Sequence, residues 1–75
     1  MEGLKEILLG INDEIDYDKE NALVTDGKLD SMMLVQLVVE IKAKYGVKIP
    51  GGLITPYNFD SVQAIERTIE CCMRQ

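Results

Sequence analysis

The residues able to do chemistry in this chain are few. Two serines follow aspartates, at Asp30-Ser31 and Asp60-Ser61, and two cysteines stand side by side at Cys71-Cys72. Carboxylates crowd the stretch from Asp13 to Asp26, and the chain has no histidine. That absence removes the usual general base near neutral pH, and with it serine–histidine and cysteine–histidine catalysis and histidine-ligated metals. Ser31 has no base beside it, so it is not a self-activated nucleophile. If it carries a group, another enzyme must attach it. Adjacent cysteines cannot staple a fold and form no Cys-x-x-Cys pair, so they read as reduced thiols late in a C-terminal helix. No catalytic residue and no metal ligand is expected, and the chain is not read as an enzyme.

The acidic stretch needs its own test. An EF-hand register starting at Asp16 finds Asp18 and Glu20 in the next oxygen positions. It then finds Asn21 where the tight-turn glycine belongs and Gly27 where the bidentate glutamate belongs. A solvated acidic loop is the better reading.

Several elements must position these groups. Leu4, Ile7, Leu8 and Ile11 fall at i, i+3, i+4 and i+7 and predict a helix between Glu2 and Asn12. Asp13 to Asp30 shows no period. Structureless loops longer than about 12–15 residues are uncommon in compact domains. Ile15, Tyr17, Leu23, Val24 and Leu29 are therefore expected to pin this one to a core. Ser31 to Tyr45 is too long for a strand and has helix ends. Asp30 or Ser31 supplies a cap, Gly46 suits a left-handed C′ position, and Lys42 and Lys44 sit at the negative end of the dipole. Val47 to Pro50 reads as extended. Thr55-Pro56 then opens a short helix through Phe59. A last helix runs from Asp60 to about Met73, with a stripe of Val62, Ile65, Ile69 and Met73 and Ala64 alongside.

Each Asp-Ser pair thus opens a helix. At the second, Gln63 stands three residues after Asp60, the spacing of a capping box, so that pair reads as structural. At the first, Met33 and Leu34 occupy the matching positions and cannot reach back. The helix that follows also carries two apolar stripes. Leu34, Leu37, Val38, Ile41 and Tyr45 suffice to bury it, and with Ile65 and Ile69 they are expected to line the core. Met32, Val35 and Val39 form a second stripe starting beside the serine. It reads either as a docking surface or as a face packed under the long loop.

The whole chain has 75 residues with 13 acidic and 8 basic side chains, a formal net charge of −5. Residues 1–75 are read as a single domain, small enough to bury only roughly 60% of its surface. The acidity argues against nucleic acid and anionic membranes and favours basic partner surfaces. No apolar run reaches the roughly 18 residues of a membrane span. Met1 to Glu6 does not look like a secretory signal. A cytoplasmic monomer is expected.

Leu29-Asp30-Ser31-Met32, followed by Val35-Gln36-Leu37-Val38, resembles the Asp-Ser-Leu motif and following helix of acyl carrier proteins. Tyr45-Gly46-Val47-Lys48-Ile49-Pro50 is similar to their aromatic-Gly-Ile-x-Ile-Pro stretch, and Asp60-Ser61-Val62-Gln63-Ala64-Ile65 to the start of their last helix. The resemblance implies an all-α, acyl-carrier-like four-helix bundle with three main helices, one short helix and a long first loop. It implies 4′-phosphopantetheine, derived from coenzyme A, attached covalently to Ser31 beside Asp30. The arm would hold acyl or aminoacyl groups as thioesters. Implied partners are a phosphopantetheinyl transferase, an acyl or aminoacyl ligase, and enzymes that process or transfer the cargo in lipid, cell-wall or specialised metabolite synthesis. The helix after the serine would be recognised through Met32, Val35, Gln36, Val39 and Glu40. Gln36 stands where fatty-acid carriers have a glutamate, and Lys42 and Lys44 are basic. With Gly27-Lys28 and Tyr57-Asn58-Phe59, this looks closer to D-alanyl and specialised carriers than to housekeeping ones. The alternative is a small acidic helical adaptor without a prosthetic group, in which Asp30-Ser31 only caps.

Overall fold

Four α-helices and one short 3-10 helix make up the regular structure, and no strand occurs among the described residues. The computed structural model describes residues 2–74; Met1 and Gln75, the ends of the expected domain, lie outside the described residues. Helix α1 spans Leu4–Ile11, α2 Ser31–Tyr45, α3 Pro56–Phe59 and α4 Val62–Met73, with the 3-10 helix at Gly51–Leu53. This is the all-α bundle of three main helices and one short one that the resemblance implied, with the 3-10 turn added.

The core forms where the helical stripes converge. Leu4 and Leu8 of α1, Leu37 and Ile41 of α2, Phe59 of α3, and Ile65 and Ile69 of α4 are all fully buried. Ile7, Ile11, Leu34, Val38 and Tyr45 pack half-buried around them. The long loop contributes Tyr17, Leu23 and Leu29, all buried, with Ile15 and Val24 half-buried beside them. Its scattered apolar residues are thus anchors, as expected.

One of those anchors also closes a helix. The last carbonyls of any helix lack intrahelical donors. The Tyr17 hydroxyl shares its one proton between the carbonyls of Asn12 (2.7 Å) and Leu8 (2.9 Å), the latter already accepting from the Asn12 amide, just where α1 ends. Burial, with Asp13 adding to it, pushes the Tyr17 phenol above its usual range. The loop's acids are partly matched by lysines: Asp18 with Lys5 at 2.7 Å, Glu20 with Lys28 at 3.6 Å, and Asp16 with Lys19 at 4.0 Å. Such exposed pairs contribute little to stability.

Helix α4 departs from expectation in two ways. It starts at Val62, and its N-cap is Ser61, whose Oγ accepts from the Ala64 amide at 3.1 Å. The Asp60–Gln63 capping box does not form, because Asp60 is engaged elsewhere. Its inner face is also rotated. Ala64, Ile65, Thr68 and Ile69 are buried, Val62 and Cys72 are half-buried, and Met73 is 56% exposed. Met73 therefore lies off the stripe that was to hold it. Thr68 is tolerated inside because its hydroxyl donates to the Ala64 carbonyl at 2.9 Å. Cys71 and Cys72 are free thiols near the end of this helix.

Candidate functional site

Ser31 is the first residue of α2 and is exposed. The residue before it decides what its hydroxyl is free to do. Asp30 has extended backbone angles (φ −86°, ψ −179°), and its Oδ1 accepts from the Met33 amide at 2.9 Å. Its carbonyl accepts from the Leu34 amide at 2.9 Å. Asp30 is therefore the N-cap, and the choice the sequence left open between Asp30 and Ser31 falls on the aspartate. The serine hydroxyl is left out of the cap and faces solvent.

The surroundings suit an attached phosphodiester. With the Met33 and Leu34 amides taken, those of Ser31 and Met32 remain at the positive end of the helix. No acidic residue lies in the first turn of α2. A phosphate on the Ser31 oxygen would meet spare N–H donors and a favourable dipole. These residues fit a phosphopantetheine arm.

A tight turn delivers the serine to this position. Gly27 has φ +75°, which L side chains rarely adopt, and its amide donates to the Val24 carbonyl at 3.0 Å. The chain then doubles back, so that the Leu29 amide donates to the Leu23 carbonyl at 2.9 Å. Leu23 and Leu29 are both buried, which fixes the root of the turn in the core.

This turn is held from an unexpected direction. Asp60 Oδ1 accepts from the amides of Val24 (2.8 Å) and Thr25 (2.9 Å), and Oδ2 accepts from the Thr25 hydroxyl at 2.6 Å. The Asp60 carbonyl also accepts from the Leu23 amide at 2.9 Å. The Thr25 hydroxyl, with the Thr25 and Val24 amides, holds the Asp60 carboxyl below the usual carboxylate range. Sequence reasoning had assigned Asp60 to a helix cap. The available signal was redundancy: two good capping residues stand side by side, and a helix start needs only one.

All five residues expected on the partner face are exposed. Met32 is 83%, Val35 64% and Val39 59% exposed, so the second apolar stripe does not pack under the long loop. Met32, Val35 and Val39 form a ridge leading away from Ser31. Gln36 and Glu40 line an open groove against α1, which Ile7, Gly10, Ile11 and Ala43 also line. The far end of α2 is basic, with Lys42 and Lys44 in its last turn, and Gly46 closes it at φ +69°.

No helix among the described residues is long and apolar enough to cross a membrane. Residues 6–69 match the family described as the phosphopantetheine attachment site. The chain is 43% identical over 54 residues to aminoacyl carrier protein 2 of Bradyrhizobium diazoefficiens, a match covering 72% of this chain and 60% of that protein. It is 40% identical over 48 residues to aminoacyl carrier protein 1 of the same organism, covering 64% of this chain and 53% of that protein. The chain thus spans little more than half the length of these curated relatives. No solved structure matches it. With the match running from α1 to α4 across the Asp30-Ser31 turn, the chain belongs to the phosphopantetheine attachment-site family, whose prosthetic group is covalently bound 4′-phosphopantetheine.

Proposed function

We propose that this protein is a carrier whose arm is attached to Ser31, and that it presents an aminoacyl or acyl thioester to partner enzymes without itself catalysing a reaction. The observation that carries the reading is the division of labour at the start of α2. Asp30 performs the capping, so the exposed Ser31 hydroxyl has no structural task. Under the adaptor alternative, in which the pair only caps, Asp30 alone supplies the cap and the exposed Ser31 hydroxyl is left without a role. In loading, the Ser31 oxygen bonds to the phosphorus next to the pantetheine of coenzyme A, and the pyrophosphate P–O bond breaks. Adenosine 3′,5′-bisphosphate leaves, and the serine proton passes to a base of the transferase, since this chain has no histidine.

The arm's terminal thiol supplies the thioester chemistry. This chain supplies the exposed anchor, the amide donors beside it, and the ridge of Met32, Val35 and Val39 flanked by Gln36 and Glu40. Apolar knobs bordered by polar groups make a recognition face. Methionine at its head suits successive partners of different shape. An aminoacyl cargo is favoured because both curated relatives are named aminoacyl carrier proteins. Its partners are then a phosphopantetheinyl transferase, an aminoacyl or acyl ligase, and an enzyme that takes the cargo onward, all in the cytoplasm.

The test is intact mass after incubation with coenzyme A and a broad-specificity phosphopantetheinyl transferase. Wild type should gain one phosphopantetheine and Ser31→Ala none. An unmodified, well-folded apo wild type would overturn the carrier reading.

A further inference from the structure

Asp60 reaches away from its own helix to the loop that ends in Ser31. Four hydrogen bonds converge on this one residue from Leu23, Val24 and Thr25. From there the connection is continuous. Val24, whose amide the carboxylate holds, accepts from the Gly27 amide and so closes the turn that leads to Asp30, the cap of α2; beneath it Leu23 accepts from Leu29. The start of α4 is thereby tied to the segment that ends in the attachment serine through a short run of hydrogen bonds, three of them made by the Asp60 carboxylate. Helix α4 gains no cap from this carboxylate, because Ser61 provides it.

We infer that Asp60 is a positioning residue for loading: it holds the segment from Leu23 to Ser31 in the conformation that the phosphopantetheinyl transferase engages. This rests on the carrier reading. Without the carboxylate, Val24 and Thr25 lose their acceptor and the turn opens, while Leu23 and Leu29 still hold its root in the core. Only a fraction of molecules then presents Ser31 correctly. Apparent affinity falls by that fraction, whereas the transferase, once saturated, still acts on a correctly placed serine. The effect should therefore appear in KM and spare kcat.

The experiment is steady-state loading of the apo protein with coenzyme A, at a temperature where every variant is folded. Amide hydrogen exchange at Val24 and Thr25 is followed in parallel. Asp60→Ala should speed exchange at both amides and raise KM for the carrier about tenfold, the value for a loop formed in one molecule in ten, with kcat kept. Asp60→Asn should restore most of KM, since its carbonyl can accept from both amides and its NH2 can donate to the Thr25 hydroxyl. Ser61→Ala is the control: it weakens α4 by removing its cap but leaves the loop contacts intact, and its KM should match wild type. If Asp60→Ala proves unfolded, Thr25→Val removes only the hydroxyl bond and should raise KM by a smaller factor. Faster exchange with unchanged KM overturns the inference, and so does an equal rise in KM for Ser61→Ala. If wild type itself is not loaded at Ser31, the carrier reading fails first, a result distinct from either.

Discussion

The two Asp-Ser pairs use the same dipeptide at the same place, the start of a helix, and divide the work in opposite ways. At Asp30-Ser31 the aspartate caps α2 and the serine is left free. At Asp60-Ser61 the serine caps α4 and the aspartate is left free to reach the long loop. A helix start needs one capping oxygen, so a second capping residue beside it is available for something else. In the first pair the spare group faces solvent, where an enzyme can modify it. In the second it reaches across the surface to the loop that carries the first. The difference lies in what stands opposite: open solvent at Ser31, and the donor amides of Val24 and Thr25 at Asp60.

The largest expected contrast between the pairs is all-or-none. Ser31→Ala should abolish the phosphopantetheine mass gain while Ser61→Ala keeps it. Loading of Ser31→Ala would place the arm elsewhere and dissolve the contrast. Next comes the core beneath both pairs. Leu37 is fully buried on α2, and Leu37→Ala should cost about 2–5 kcal/mol in denaturant unfolding. In so small a domain that threatens folding itself. Wild-type stability in this variant would mean the α2 face has been misassigned.

Smaller effects sharpen the division of labour. Asp30→Ala and Ser61→Ala each remove a used cap and should each cost about 1 kcal/mol, whereas Ser31→Ala should change stability by less than about 0.5 kcal/mol. Denaturant midpoints would show this directly, and a cost at Ser31 equal to that at Ser61 would make the two serines alike after all. The smallest effect is in acid. The Asp60 carboxyl is held below its usual range chiefly by the Thr25 hydroxyl bond. A depressed folded pKa means the unfolded chain binds its proton first. The stabilisation is therefore complete well above the unfolded value of about 3.9 and is lost as pH falls through the folded value. Asp60→Asn should flatten that part of the stability profile, and an unchanged acid limb would show that the carboxylate's charge is immaterial.

Much of this molecule was legible from residue order. Helix α2 was bounded correctly because both of its end signals are local: a capping aspartate one residue before the apolar run, and a glycine at the residue that must turn left-handed. Helix α1 was legible for a similar reason, since its stripe repeats cleanly at helical spacing. Counting marked Met32, Val35 and Val39 as a stripe beyond the one that buries α2, but only the structure showed that it lies in solvent and not under the long loop. Helix α4 was less legible. Its inward face includes Thr68 and Cys72, which a search for large apolar residues passes over, and it excludes Met73.

What the sequence determined by itself was governed by neighbours within about one helical turn: the four helices, the left-handed Gly46, the two Asp-Ser helix starts and the exclusion of histidine chemistry. These depend on periodicity and on hydrogen bonds between residues three or four apart. What only the tertiary structure decided was which member of each pair was used. That choice depends on donors brought close by folding, and Asp60 meets Thr25 across 35 residues of chain. Spacing along the chain carries no record of such a contact. A carboxylate that caps and one that clamps look alike until the core places an amide in front of one of them.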